Sequence, residues 1–243
     1  MRVEIDTHSH TLISGHAYST IREMAKMASE KGLKGLAITD HTPEMPGSTH
    51  LFYFTNLKVV PRNMYGVELL MGAELNIMDA EGTVDLPDKI IRDLDITIAS
   101  MHIPCYKGEK TEEEITRAYI NIMERGDIDI IGHPDDGRYP VNYEELVKAA
   151  KRTGTILEIN NTSLNPTGFR KDTKANAIKM LEYCKKYGAM ITLGTDAHVD
   201  TAIAEYQYAE EILELTDFPE ELIANKTLEK LCSLLKSNKK GRL

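Results

Sequence analysis

Short apolar runs alternate with stretches of helical period along the whole chain. Val3 and Ile5 alternate with polar neighbours, so residues 2–6 read as a strand. Further apolar runs at 36–39, 69–74, 95–101, 127–132, 155–159 and 190–193 predict six more strands. Between them, apolar residues recur at helical spacing over 20–31, from Thr111 onward, over 142–153 and over 173–187. Thr20 or Ser19 is the expected cap of the first helix, with Gly32 after its last turn. Helices near 203–215, 219–224 and 227–238 end the pattern, with a frayed basic tail over 238–243. Residues 43–66 form an irregular insert, weakly helical near 57–66, and Thr83–Asp85 suggests a small hairpin strand.

Strands that are apolar on both faces and alternate with helices imply a parallel sheet with helices outside. Seven such strands suit an α/β fold of the distorted (β/α)7 TIM-like barrel type, with 1–243 as a single domain. A doubly wound open sheet is the competing architecture, but the Gly-x-Gly-x-x-Gly fingerprint of its dinucleotide-binding members is absent. No run of about eighteen apolar residues predicts a membrane span. The net charge of −9 disfavours nucleic acid or an anionic membrane as primary partner. Three widely spaced cysteines argue for a reduced, cytoplasmic setting, with Cys184 and Cys232 in the core.

The histidines change the picture. His8, His10, His41, His102, His133 and His198 each fall at or just past the carboxyl end of a predicted strand. His16 lies in the first strand-to-helix loop, and His50 lies in the insert as an ordinary exposed residue. Helices cover roughly 40% of this reading, so eight independent histidines would all avoid them in on the order of 2% of cases. In a parallel barrel these strand ends open onto one face, where Glu74 and Asp196 also terminate strands. Imidazoles and carboxylates in such a set point to divalent metal ions. Seven histidines and two carboxylates exceed what one ion can use. Two ions are the minimum, and three share the set naturally with Glu74 bridging.

The segments D-T-H-S-H, H-A-Y-S-T, I-T-D-H, G-A-E-L-N-I, I-A-S-M-H, I-I-G-H-P, E-I-N-N-T-S and L-G-T-D-A-H occur in this order. As a set they resemble the PHP (polymerase and histidinol phosphatase) superfamily, and most of all its small stand-alone YcdX-type phosphatases. The resemblance implies a distorted barrel with a three-metal site, usually zinc, with manganese or iron as substitutes. It implies one metal on His8, His10, Glu74 and Asp196, and a second on Glu74, His102 and His133. The third falls to His16, His41 and His198. Asp6 and Asp40 would then be outer acceptors for ring N–H groups.

This points to a metal-dependent phosphatase acting on small phosphomonoesters. The expected nucleophile is a metal-bound hydroxide held by Glu74, Asp196 and His102, attacking phosphorus in line. Arg62, Arg138, Arg170 and Asn161, with Ser163 beside it, are candidates to hold the substrate phosphate. Alternatives are a PHP-type phosphodiesterase or nuclease, an amidohydrolase-like enzyme, and a non-catalytic metal-bearing scaffold. No strand ends in the lysine that many amidohydrolases carbamylate, and no basic, aromatic-lined groove suggests a nuclease.

Overall fold

The computed structural model describes residues 3–236, so the expected basic tail at 238–243 lies outside the described residues. Seven strands run parallel in sequence order: β1 (Ile5–Asp6), β2 (Gly35–Ile38), β4 (Val67–Asn76), β5 (Ile96–Ser100), β6 (Ile130–Ile131), β7 (Ile156–Asn160) and β8 (Ile191–Gly194). A short β3 (Asn63–Met64) pairs antiparallel with β4. Around them lie α1 (Ile21–Glu30), α2 (Leu51–Asn56), α3 (Asp88–Ile91), α4 (Glu112–Glu124), α5 (Tyr143–Thr153), α6 (Thr173–Tyr187), α7 (Gln207–Leu215) and α8 (Leu228–Leu234).

The ring is nearly closed, which decides against the open sheet. Near its carboxyl end the seam between β1 and β8 is joined by main chain: His10 N–H donates to Ala197 O at 2.8 Å and Asp196 N–H to His8 O at 2.9 Å. Lower down a side chain does this work. The Asn225 amide donates to Ile5 O and Leu193 O and accepts from Leu193 N–H.

Side chains alternate between the two faces of each strand, so every second residue points into the barrel. Ile5, Ala37, Leu70, Ile96, Ile98, Ile130 and Ile156 form one compact apolar cluster, closed from below by Ala224, Leu231 and Leu235. Further along the inward rows, toward the carboxyl ends of the strands, the chemistry turns polar. Leu70 is followed by Gly72, Glu74 and Asn76, Ile98 by Ser100, and Ile156 by Glu158 and Asn160. Glycine makes this polar layer possible at two places. A Cβ on Gly132 would sit 2.1 Å from Ser100 Oγ, and one on Gly194 would sit 2.1 Å from Glu158 Oε1.

Local chemistry sets the helix limits. Thr20 caps α1 in a reciprocal box with Glu23. The weak helix expected over 57–66 does not form. Pro61 cannot continue a helix, and the chain makes a short 3₁₀ turn at 57–59 and then β3. The helix of the insert is α2, begun by His50, whose Nδ1 accepts from Phe52 N–H. The expected hairpin strand at 83–85 reduces to a bridge between Val84 and Ile77. The helix expected from 203 starts at Gln207, because Ala204 adopts a left-handed conformation with φ +58°. The stretch expected as a helix over 219–224 is a 3₁₀ turn at Glu220–Leu222. Cys184 is buried, Cys232 is half-buried, and all three cysteines are free.

Candidate metal centre

Glu74, inward on β4, is the hub of the polar layer. Its Oε1 lies 3.0 Å from His133 Nε2, 3.3 Å from His102 Nε2 and 3.5 Å from His8 Nε2. Its Oε2 lies 2.7 Å from His41 Nδ1 and 3.5 Å from His10 Nε2. Five imidazoles from four different strand ends thus surround one carboxylate. Asp196 closes the cluster from past β8, its Oδ1 being 3.2 Å from His10 Nε2 and 3.6 Å from His8 Nε2. His198 stacks near His10, and His16 stacks near both His41 and His198 from the exposed edge. Two site residues, His133 (φ +29°) and Asp196 (φ +55°), hold left-handed backbone that side chains other than glycine rarely adopt.

Hydrogen bonds behind the rings fix which nitrogen each presents. Glu158 carries its charge despite burial, which raises its pKa, because the His8 and His133 charges pull it below the ordinary value. Its Oε1 therefore accepts from His8 Nδ1 at 2.7 Å. Its Oε2 accepts from His133 N–H and from Asn160 Nδ2. The Asn76 amide donates through Nδ2 to Asp85, so its Oδ1 accepts from His102 Nδ1 at 2.7 Å. The main-chain carbonyl of Asp196 accepts from His198 Nδ1. Ser14 gives its proton to Asp40, so its Oγ accepts from His10 Nδ1. Four rings therefore bear hydrogen on Nδ1 and turn Nε2 toward the cluster, where it can take a proton or a cation.

This arrangement demands positive charge. His8 Nε2 and His10 Nε2 lie 3.1 Å apart. Two lone pairs at that distance repel unless a proton or a cation lies between them. Burial disfavours charge on His8, but the Glu158, Glu74 and Asp196 carboxylates reverse this and hold its pKa well above the ordinary value. Burial and the neighbouring His41 and His198 hold His10 well below it. His41 Nδ1 and Glu74 Oε2, 2.7 Å apart, are both buried with no hydrogen-bond partner of acceptable geometry. Both observations fit bound cations. Donor atoms within 4.8 Å of one another form three overlapping sets: His8, His10 and Glu74; His41, Glu74 and His102; His10, His41 and His198. Glu74 is shared by two of them. The sets differ from those the resemblance implied: the first lacks Asp196, the second has His41 in place of His133, and the third has His10 in place of His16.

Several expected residues take other places. Asp6 and Asp40 are buried beside the site, but neither accepts from an imidazole. Asp6 binds Thr195 and the main chain of His8 and Ala204 across the barrel seam. Asp40 accepts from Thr11, Ser14 and Tyr53, and reaches His10 only through Ser14. Arg62 is no phosphate ligand. The insert carries it down to the amino end of β4, where it pairs with Asp95 at 2.7 Å. Asn161 is turned away, its Oδ1 receiving the N–H groups of Tyr208 and Ala209 at the start of α7. Ser163 binds Asp135. Arg170 does reach the cluster, both Nη atoms lying within 3.3 Å of Asp196 Oδ2. Arg138 pairs with Asp136 and lines the same opening. Sequence reasoning passed over Glu158, Asn76 and Ser14. The signal for the first two was a polar residue at an inward position of an otherwise apolar strand.

The PHP domain profile matches residues 6–165 of this chain. A relative from Clostridium novyi is 47% identical over 243 residues, covering 100% of this chain and 98% of its own. The chain belongs to the PHP domain family. That PHP relative is named "probable phosphatase", as is one from Thermoanaerobacter sp. (strain X514), 42% identical over 240 residues with 99% and 97% of the two chains covered. Among solved structures, the fold is shared with histidinol phosphate phosphatase of Lactococcus lactis, complexed with zinc, L-histidinol and phosphate. The TM-score is 0.62 at 20% identity, with 89% of this PHP chain and 94% of that chain covered. No helix among the described residues is long and apolar enough to cross a membrane.

Proposed function

We propose that this PHP protein is a metal-dependent phosphatase of small phosphomonoesters. The observation that carries this reading is the convergence of imidazoles from four strand ends on Glu74, with ring nitrogens crowded against one another and a guanidinium at the edge. His8, His10, His16, His41, Glu74, His102, His133, Asp196 and His198 would hold the ions, zinc first among the candidates with manganese or iron as substitutes. The three overlapping donor sets, drawn from His8, His10, His41, Glu74, His102 and His198, support metal binding here, and the place of Glu74 in two of them supports its bridging role. The chemistry that bound divalent ions supply is neutralisation of phosphate charge and acidification of water for attack on phosphorus.

The chain's own groups prepare that chemistry. Glu158, Asn76 and Ser14 keep hydrogen on Nδ1 of His8, His102 and His10, so that Nε2 stays free to donate. Arg170 brings a fixed, always-charged fork to Asp196, where an incoming phosphate would find donors on one side. Arg138, on the same opening, adds a second cation. Among the described residues there is no G-x-S-x-G or P-loop segment to supply a competing nucleophile or phosphate cradle. A cytoplasmic setting belongs to this reading and is supported by three unpaired cysteines.

Elemental analysis of protein purified without added metal, paired with phosphate release from a broad phosphoester panel, tests the reading. Stoichiometric zinc, manganese or iron together with release from monoesters is expected. A zinc- or manganese-loaded protein that frees no phosphate from any monoester overturns it, and release from single-stranded or abasic DNA alone would favour the nuclease alternative.

A further inference from the structure

The donor cluster opens into a cavity of about 640 Å³ whose walls are of two kinds. At the inner end stand His16, His41, His102, Asp196 and His198, with Arg138 and Arg170 beside them. The outer wall is apolar. Met45 and Met101 are buried in it, while Ile103, Phe169 and Val199 stand 52%, 70% and 37% exposed. These three come from separate segments, following β5, β7 and β8, yet they meet at one opening. Large apolar side chains left in water at a cavity mouth mark a surface that a ligand covers. Phe169 also lies beside both arginines, its ring centroid 4.8 Å from the Arg138 guanidinium carbon and 5.5 Å from that of Arg170.

The charge on the wall matters as much. Its two arginines suit a phosphate. Its carboxylate, Asp196, is engaged by Arg170, Asn160 and His10. Among the described lining residues no carboxylate is left to receive an ammonium group. We infer that the substrate's leaving group is apolar and uncharged, seated on Phe169, Ile103 and Val199, and that amino-alcohol phosphates are poor substrates. The inference deepens the phosphatase reading and rests on it.

Calorimetric binding of alkylphosphonates, which carry the phosphoryl group on a bond the enzyme cannot hydrolyse, tests this apart from turnover. Full burial of a methylene is worth about fourfold in affinity, so a half-covered wall gives about twofold per methylene and about 30-fold from methylphosphonate to hexylphosphonate. 3-Aminopropylphosphonate should bind the zinc-loaded protein more weakly than propylphosphonate. The exposed-site double variant Ile103→Ser with Phe169→Ala should cut the hexyl-to-methyl ratio to about fivefold, by removing most of the covering surface. In turnover, hexyl phosphate should exceed glycerol 3-phosphate in kcat/KM by at least about tenfold, since the same surface holds the leaving group in the transition state. Equal affinity for methyl- and hexylphosphonate, or a preference for the aminopropyl compound, overturns the inference even if phosphatase activity is present. Strong hexyl selectivity without release of phosphate from hexyl phosphate would uphold the apolar wall and bring down the phosphatase reading instead.

Discussion

The two halves of the barrel interior are built from the same inward rows and do opposite things. The lower half, from Ile5 round to Ile156 with Leu231 and Leu235 beneath, is filled by buried apolar side chains packed on one another. The upper half buries Glu74, Glu158, Asn76 and Asn160 among imidazoles that crowd one another. Two to four residues along a strand separate them. Stability and function are thus stacked along the strand axis: the apolar floor holds strand ends rigid enough to keep mutually repelling donors together. Loss from the floor should therefore appear as unfolding, and loss from the upper layer as failure to hold ions.

The largest expected effect is at the hub. Glu74→Ala should lower activity by at least about 1,000-fold and reduce metal content with it, because the carboxylate shared by two donor sets is gone. Metal analysis beside phosphate release checks it, and activity lost at full metal content would assign Glu74 a direct role in the reaction. Next, Leu70→Ala, on the same strand four residues below, should cost about 2–5 kcal/mol in denaturant unfolding while folded protein keeps its metal. A metal loss equal to that of Glu74→Ala would break the division between the halves. Smaller again, Glu158→Gln should weaken metal affinity by about 10–100-fold with a chelator-competition readout, since the amide brings no negative charge to His8 and sets an NH2 group against donors that Glu158 now receives. The smallest effect belongs to Arg62→Ala, which should leave phosphate release unchanged and lower stability by about 1 kcal/mol through the lost Asp95 pair. A drop in activity there would place Arg62 at the site after all.

Much of this was legible in the sequence because period-2 rows and strand ends are local properties. Histidines at the ends of β1, β2 and β5 have to open on one face once the strands are parallel. What escaped depends on contacts between distant segments. Glu158 is a single polar residue in an apolar strand, and the partner that gives it a role, His8, lies 150 residues away. Arg62 follows a strand by sequence, but the insert doubles back, and β3 carries the chain to the opposite rim. Asp6 and Asp40 sit beside histidines in sequence, whereas their carboxylates turn to main-chain and hydroxyl donors across the seam and in the insert. Which end of a loop a side chain reaches, and which neighbour satisfies it first, are decided by tertiary packing.

The Asn225 bridge has a consequence for how the molecule is made. Its bond to Ile5 O spans 220 residues, and the donors on either side of that seam are His8 and His10 at the start and Asp196 and His198 near the finish. Few contacts in a chain this size carry a higher loop-closure entropy. A nascent polypeptide on the ribosome cannot pin this lower part of the seam until residue 225 has emerged, after all seven barrel strands have been made.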